Sequence, residues 1–106
     1  MSDLLEQIKA LIDAATGDID RIEHTLTDGY AQAMALEAER WRLERRISKV
    51  AGEMESGDVA AKARELAVLA SRLEEIAVDL HRLRSRLAEL RQLAGEARVA
   101  DTAISV

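Results

Sequence analysis

The chain has 106 residues, a formal net charge of −5 and no cysteine. The lack of cysteine excludes disulfides, thiolate metal sites and thiol catalysis. Hydrophobic residues make up 48% of the chain, yet only 2% of the residues are aromatic and none is proline, a composition typical of long helices or coiled coils.

The N-terminal segment shows no export signal. It contains Asp3 and Glu6 and lacks an unbroken apolar stretch, which argues against a signal peptide and against a membrane span. We therefore expect a cytoplasmic protein.

The first predicted helix covers residues 3–15 and is amphipathic. Its apolar side chains recur at helical spacing: Leu4, Leu5, Ile8, Leu11, Ile12 and Ala15. A helix this short is not stable without a covering surface. It therefore either folds back along its own chain or docks on a second copy, and Leu5, Ile8 and Ile12 are the predicted contact residues.

Two glycine-aspartate pairs, Gly17-Asp18 and Gly57-Asp58, separate the predicted helices. In each pair the glycine can adopt the left-handed conformation that ends a helix, and the aspartate is a good N-cap for the next helix. These signals predict a second helix over residues 18–55 and a third over residues 58–98.

Both long helices carry a heptad pattern, in which apolar residues alternate spacings of three and four. The pattern runs from Ile19 to Met54 and from Val59 to Ala97, and Lys62 interrupts it. Because the linker is short, the two helices must be antiparallel neighbours. Their apolar seams then match, for example with Ile47 opposite Leu66 and with Leu26 opposite Leu87.

The predicted fold is therefore all-α: a long antiparallel coiled-coil hairpin with a short N-terminal amphipathic helix, in a single helical domain over residues 1–98. Residues 99–106 follow Gly95 and lose the heptad pattern. We expect them to form a flexible tail. Gly29 occupies a seam position and indicates either close helix approach or a kink.

A second apolar stripe lies outside the seam of the second helix. It consists of Tyr30, Met34, Ala38 and Trp41, and the third helix adds the small residues Ala63, Ala70 and Ala77 at a flanking position. A two-helix hairpin does not use this apolar surface. We therefore expect a homodimer that forms a helical bundle.

No pattern in the sequence indicates catalysis, a cofactor or a metal. His24 and His81 fall at outward positions, and neither follows a glutamate at the Glu-x-x-His spacing of di-iron bundles. The Glu37/Glu39 and Glu74-Glu75 pairs are interpreted as solvated faces. We expect a protein that is not an enzyme.

A basic segment around Trp41 raises an alternative. Arg42, Arg45 and Lys49 share an outward face of the second helix, which could contact an acidic protein, a nucleic acid or an anionic membrane surface. The acidic net charge and the lack of a base-reading motif argue against nucleic acid.

The leading hypothesis is thus a non-enzymatic protein-protein interaction module: a coiled-coil adaptor, scaffold or chaperone-like factor that acts as a homo-oligomer and binds a further, unidentified protein. Its predicted anchors are Tyr30, Met34 and Trp41, because large apolar side chains supply most of the binding energy at interfaces. The alternative is a nucleic-acid-associated regulator that uses the basic face near Arg42, Arg45 and Lys49.

Overall fold

The computed structural model describes residues 2–104 of the chain. It contains three helices, α1 (Ser2–Asp13), α2 (Ile19–Gly52) and α3 (Val59–Ile104), and residues 2–104 form no strand. The predicted all-α fold of a helical hairpin with an added N-terminal helix is confirmed. No helix in this range is long and apolar enough to cross a membrane.

The chain divides into two compact units. The first unit joins residues 2–34 to residues 81–104, and the second consists of Ala35–Leu80. The prediction of a single domain over residues 1–98 stays a prediction.

The first unit is a three-helix bundle in which α1 packs on the segments of α2 and α3 from its own chain. Ile8 and Leu11 of α1 are 0% and 3% exposed. One surface depression is lined by residues of α1 and α3, and another by residues of α1 and α2. The apolar face of α1 is therefore covered by α2 and α3 of the same chain.

The heptad seam forms the core of the first unit. Its buried members are Ile22, Leu26, Leu83, Leu87, Leu90 and Ala94. Gly29 is also buried, and a Cβ atom placed on it would lie 2.3 Å from Cδ2 of Leu87. Of the two interpretations of Gly29, the structure supports close helix approach.

The second unit is a two-helix antiparallel hairpin. Its seam residues near the ends of the unit are buried, namely Leu36, Val50, Ile76 and Leu80. The seam residues between them are half-buried, namely Leu43, Ile47, Leu66, Leu69 and Leu73. Two helices cover a seam from two sides only, so these five side chains keep part of their surface in water.

The loop of this hairpin ends α2 earlier than predicted, at Gly52 instead of residue 55. The amide of Glu53 donates to the carbonyl of Val50, so the last turn tightens before the loop. Gly57 takes the expected left-handed φ of 76°, and the Asp58 carboxylate accepts from the amide of Ala61 at 3.1 Å. The predicted N-cap is therefore present.

Lys62, the break in the heptad pattern, has a structural role at this loop. Its ammonium group donates to the carbonyl oxygens of Glu53 and Ser56. A cation suits this position because carbonyls at a helix C-terminus carry partial negative charge.

The connection between α1 and α2 differs from the prediction at one residue. Asp18 caps α2 as expected and accepts from the amide of Arg21 at 3.2 Å. The left-handed residue, however, is Ala15, with φ 46°, and not Gly17. The amides of Ala15 and Thr16 donate to the carbonyls of Ile12 and Leu11, which is the Schellman pattern and ends α1 at Asp13 instead of residue 15.

We expect Ala15→Gly to raise the free energy of unfolding by about 1 kcal/mol, because glycine avoids the Cβ strain of the left-handed conformation. Thermal unfolding followed by circular dichroism measures the change. Ala14→Gly, one residue earlier, is the matched control and should lower the midpoint. A lower midpoint for Ala15→Gly would contradict the assignment.

The third helix ends later than predicted, because α3 continues to Ile104 instead of ending at residue 98. The flexibility of residues 99–106 stays a prediction. No proline or helix-ending glycine follows Gly95, so loss of the apolar seam removes packing without stopping the helix. The hydroxyl of Thr102 donates to the carbonyl of Arg98 at 2.9 Å. Residues 105 and 106 of the predicted tail lie outside the described residues.

Candidate interaction surface

Two ion pairs close one flank of the hairpin in the second unit. Nε of Arg46 donates to Oε1 of Glu65 at 2.8 Å, and Nε of Arg72 donates to Oε1 of Glu39 at 2.9 Å. All four residues directly precede seam residues of their helices, so they lie on the same side of the seam. We call this side the paired flank.

In one ion pair α2 supplies the arginine, and in the other α2 supplies the glutamate. This alternation of charge favours one register of α2 against α3. A shift of one heptad in one direction would place Arg46 opposite Arg72 and Glu39 opposite Asp79. A shift in the other direction would place Glu39 opposite Glu65, so either shift creates a like-charge contact. Exposed pairs each add less than about 1 kcal/mol to stability. Their contribution is therefore to select the alignment that the apolar seam stabilises.

Arg72 contacts a second carboxylate, because its NH1 group lies 3.1 Å from Oε2 of Glu75. Hydrogen bonds to Glu39 and then to Glu75 raise the pKa of the Arg72 guanidinium above its ordinary value. The group therefore stays charged across the physiological pH range.

The opposite side of the same hairpin, which we call the open flank, is different in character. It carries Trp41, Glu44 and Ser48 of α2 and Ala63, Ala67, Ala70, Glu74 and Ala77 of α3, and all eight are exposed. These residues stand one or four positions after a seam residue, whereas the ion pairs stand one position before it. The apolar side chains here have no cover within the second unit.

Trp41 is the largest side chain of the open flank and is 59% exposed. The guanidinium of Arg45 lies 4.7 Å from the centroid of its ring, a cation-π geometry. Together with Glu44 and Ser48 they line a shallow groove on α2. The heptad pattern predicted the outward position of Trp41, and the structure adds its contact with Arg45.

The remaining predicted contact residues have different environments. In the second unit, Arg42 and Lys49 are exposed. In the first unit, Met34 is 73% exposed, and the hydroxyl of Tyr30 accepts from Arg91 at 3.4 Å.

The α1 residues fit a contact role less well. The side chain of Ile8 is fully buried within its own chain, and its role as an interaction residue stays a prediction. Leu5 and Ile12 are half-buried, because they stand at the edges of the face that packs on α2 and α3.

The histidines and carboxylates form no metal-binding group within the part of the chain that the structure describes. His24 lies 3.7 Å from Asp28 on the same exposed face. His81 lines a depression of the first unit beside Arg82 and Ser85.

Sequence reasoning missed the role of Glu39, which was interpreted as a solvated carboxylate but pairs with Arg72. The signal was its position, one residue before the seam on one helix, matched by an arginine at the same position on the other. Thr25 was also missed. It is buried, and its hydroxyl donates to the carbonyl of Arg21 at 2.9 Å.

The chain matches no protein-family model, no curated protein and no solved structure.

Proposed function

We propose that this chain is a non-enzymatic protein-protein interaction module that acts as a homo-oligomer, as a coiled-coil adaptor, scaffold or chaperone-like factor. One observation carries the proposal: Trp41, the chain's single tryptophan, is 59% exposed on the open flank and is held under the Arg45 guanidinium.

Tryptophan and arginine are the residue types most enriched among those that dominate binding energy. Stacking on Arg45 restricts the motion of the Trp41 ring before a partner arrives, which lowers the entropy cost of association. The alanines beside Trp41 on the open flank let a partner helix approach closely, because their side chains are short.

Sedimentation equilibrium at micromolar concentrations tests the proposal. We expect the wild-type chain to exceed the monomer mass and Trp41→Ala to weaken self-association by about 30-fold or more, the equivalent of about 2 kcal/mol for an anchor residue. Fluorescence of the wild type gives a second readout. The emission maximum of its one tryptophan should shift to shorter wavelength as the copies associate.

Val99→Ala is the matched control, because Val99 is 70% exposed on α3 but belongs to the first unit. This substitution should leave the association constant unchanged. A wild-type monomer throughout the micromolar range, or an unchanged association constant for Trp41→Ala, would overturn the proposal.

A further inference from the structure

We infer that two copies of the chain can exchange their N-terminal helices, so that α1 of each copy fills the groove that α1 of the other copy has left. In the exchanged dimer the linker between α1 and α2 straightens, and the two helices form one continuous helix. This inference goes beyond the proposed function, because it concerns the first unit and does not involve Trp41.

The surface that α1 covers is a binding site for exactly one kind of helix. It lies on α2 and α3 of the first unit, where residues 20–25 and 81–89 border α1, and we call it the α1 groove. Within one chain it buries Ile8 and Leu11 of α1 to 0% and 3% exposure. Every copy carries the same helix and the same groove, so α1 of a second copy makes the same contacts. Exchange of an identical element is therefore a low-cost route to a dimer.

The linker between α1 and α2 is strained in the folded-back form. Ala15 has a φ of 46°, a left-handed conformation that is unfavourable for a residue with a Cβ atom. In a continuous helix Ala15 takes the right-handed conformation, and its amide donates to the carbonyl of Leu11 instead of that of Ile12. Straightening therefore releases the strain without the loss of this hydrogen bond. Short hinges under strain favour exchange of the element that they connect.

The heptad seam of α2 continues through the linker in the same phase. Counting back from Ile22 in steps of three and four gives apolar residues only, namely Ile19, Ala15, Ile12, Ile8 and Leu5. A continuous helix therefore has its apolar residues on a single face from α1 into α2. The linker contains no proline that would stop such a helix.

The end of α3 offers a neighbour for the straightened helix. α3 is antiparallel to α2, so its C-terminal end lies beside the start of α2, on the side towards which a straight α1 extends. Residues 99–102 in this part of α3 are all exposed, and Val99 is 70% exposed. A straight α1 therefore lies beside a turn of α3 that α1 and α2 leave uncovered in the folded-back form.

A two-fold axis gives α1 the correct direction in the second copy. The linker has only five residues, 14–18, so the folded-back α1 runs antiparallel to α2. A straight α1 runs parallel to its own α2. A two-fold axis perpendicular to α2 reverses the second copy, and α1 then enters its groove antiparallel to its α2. Both grooves are filled in this way, and the dimer is closed.

Two substitutions in the linker shift the exchange in opposite directions. Glycine at residue 15 removes the strain of the folded-back form and weakens the continuous helix. Alanine at residue 17 strengthens the continuous helix, and its Cβ meets nothing within 4 Å in the folded-back form. Because the dimer contains two linkers, we expect Ala15→Gly to lower its association constant by at least about 100-fold and Gly17→Ala to raise it by about 30-fold.

Cross-linking tests whether α1 lies on a second copy. The full chain is used in a Trp41→Ala background, so that the association of the proposed function does not contribute. Glu6→Cys and Ser85→Cys are prepared separately, one of them with an affinity tag, because both residues are exposed and line one depression between α1 and α3. The natural chain has no cysteine. The variants are incubated together at high concentration and treated with a bismaleimide, and we expect a covalent mixed dimer.

A chain with both cysteines is the control for reach. The spacer of the bismaleimide is chosen as one that links Glu6→Cys to Ser85→Cys within the isolated monomer. With this reagent, Ala15→Gly should lower the yield of the mixed dimer and Gly17→Ala should raise it.

Absence of the mixed dimer would overturn the inference. A yield that neither linker variant changes would also overturn it, since the association would then not involve the linker. Both outcomes leave the proposed function standing, because that function is tested with Trp41 intact. Conversely, a wild type that does not associate through Trp41 would overturn the proposed function, and a mixed dimer in the Trp41→Ala background would still support the exchange.

Discussion

Leu83→Ala is expected to lower the free energy of unfolding by about 3–5 kcal/mol, and Leu69→Ala by about half as much. Both leucines occupy the same heptad position on α3, two heptads apart. Leu83 is 0% exposed in the three-helix unit, so its truncation leaves a cavity that the surroundings cannot fill. Leu69 is half-buried in the two-helix unit, where water and neighbouring side chains can occupy the space.

Urea unfolding followed by circular dichroism measures both free energies of unfolding. The slope of the free energy against urea concentration should be the same for both variants, which checks that their unfolded states are comparable. The two leucines share residue type, helix and seam position, so the comparison isolates the cover that α1 gives to the first unit. Equal losses for the two variants would contradict this account of the core.

Gly29→Ala is expected to destabilise the chain, although alanine is the better helix former. The added Cβ would lie 2.3 Å from Cδ2 and 3.3 Å from Cγ of Leu87, a side chain that is itself buried. Overpacking of this kind costs about 1–3 kcal/mol, whereas the gain in helix propensity is about 1 kcal/mol. The expected result is a net loss of up to about 2 kcal/mol.

Gly95→Ala is the matched control, because Gly95 lies inside α3 with nothing within 4 Å of an added Cβ. This substitution should raise the free energy of unfolding by about 1 kcal/mol. In a Leu87→Ala background the clashing atoms are absent, so Gly29→Ala should become neutral or stabilising there. Destabilisation of equal size in both backgrounds would show that Leu87 is not the cause.

Much of the fold was predictable because its signals are local or periodic. Asp18 and Asp58 cap helices where the glycine-aspartate pairs indicated, and the buried apolar side chains of α2 and α3 all stand at heptad seam positions. The end of α1 was not predictable in the same way. Glycine is preferred in the left-handed position, but the Schellman hydrogen bonds place Ala15 there.

The candidate surface was predictable only in part. The position of Trp41 outside the seam follows from the sequence, and the structure shows its exposed ring. The pairing of Arg72 with Glu39 depends on which residues meet across two helices 33 positions apart in the sequence. Predicting such a contact requires the register of α2 against α3, and this register depends on the sequences of both helices.

The loop of the second unit also bears on how the chain folds. Lys62 contacts Glu53 at a sequence separation of 9 residues, and the two ion pairs follow at separations of 19 and 33. The entropy cost of closing a loop grows only with the logarithm of its length, and each contact shortens the loop that the next one must close. The hairpin can therefore close stepwise from its turn, as expected for a topology of low contact order.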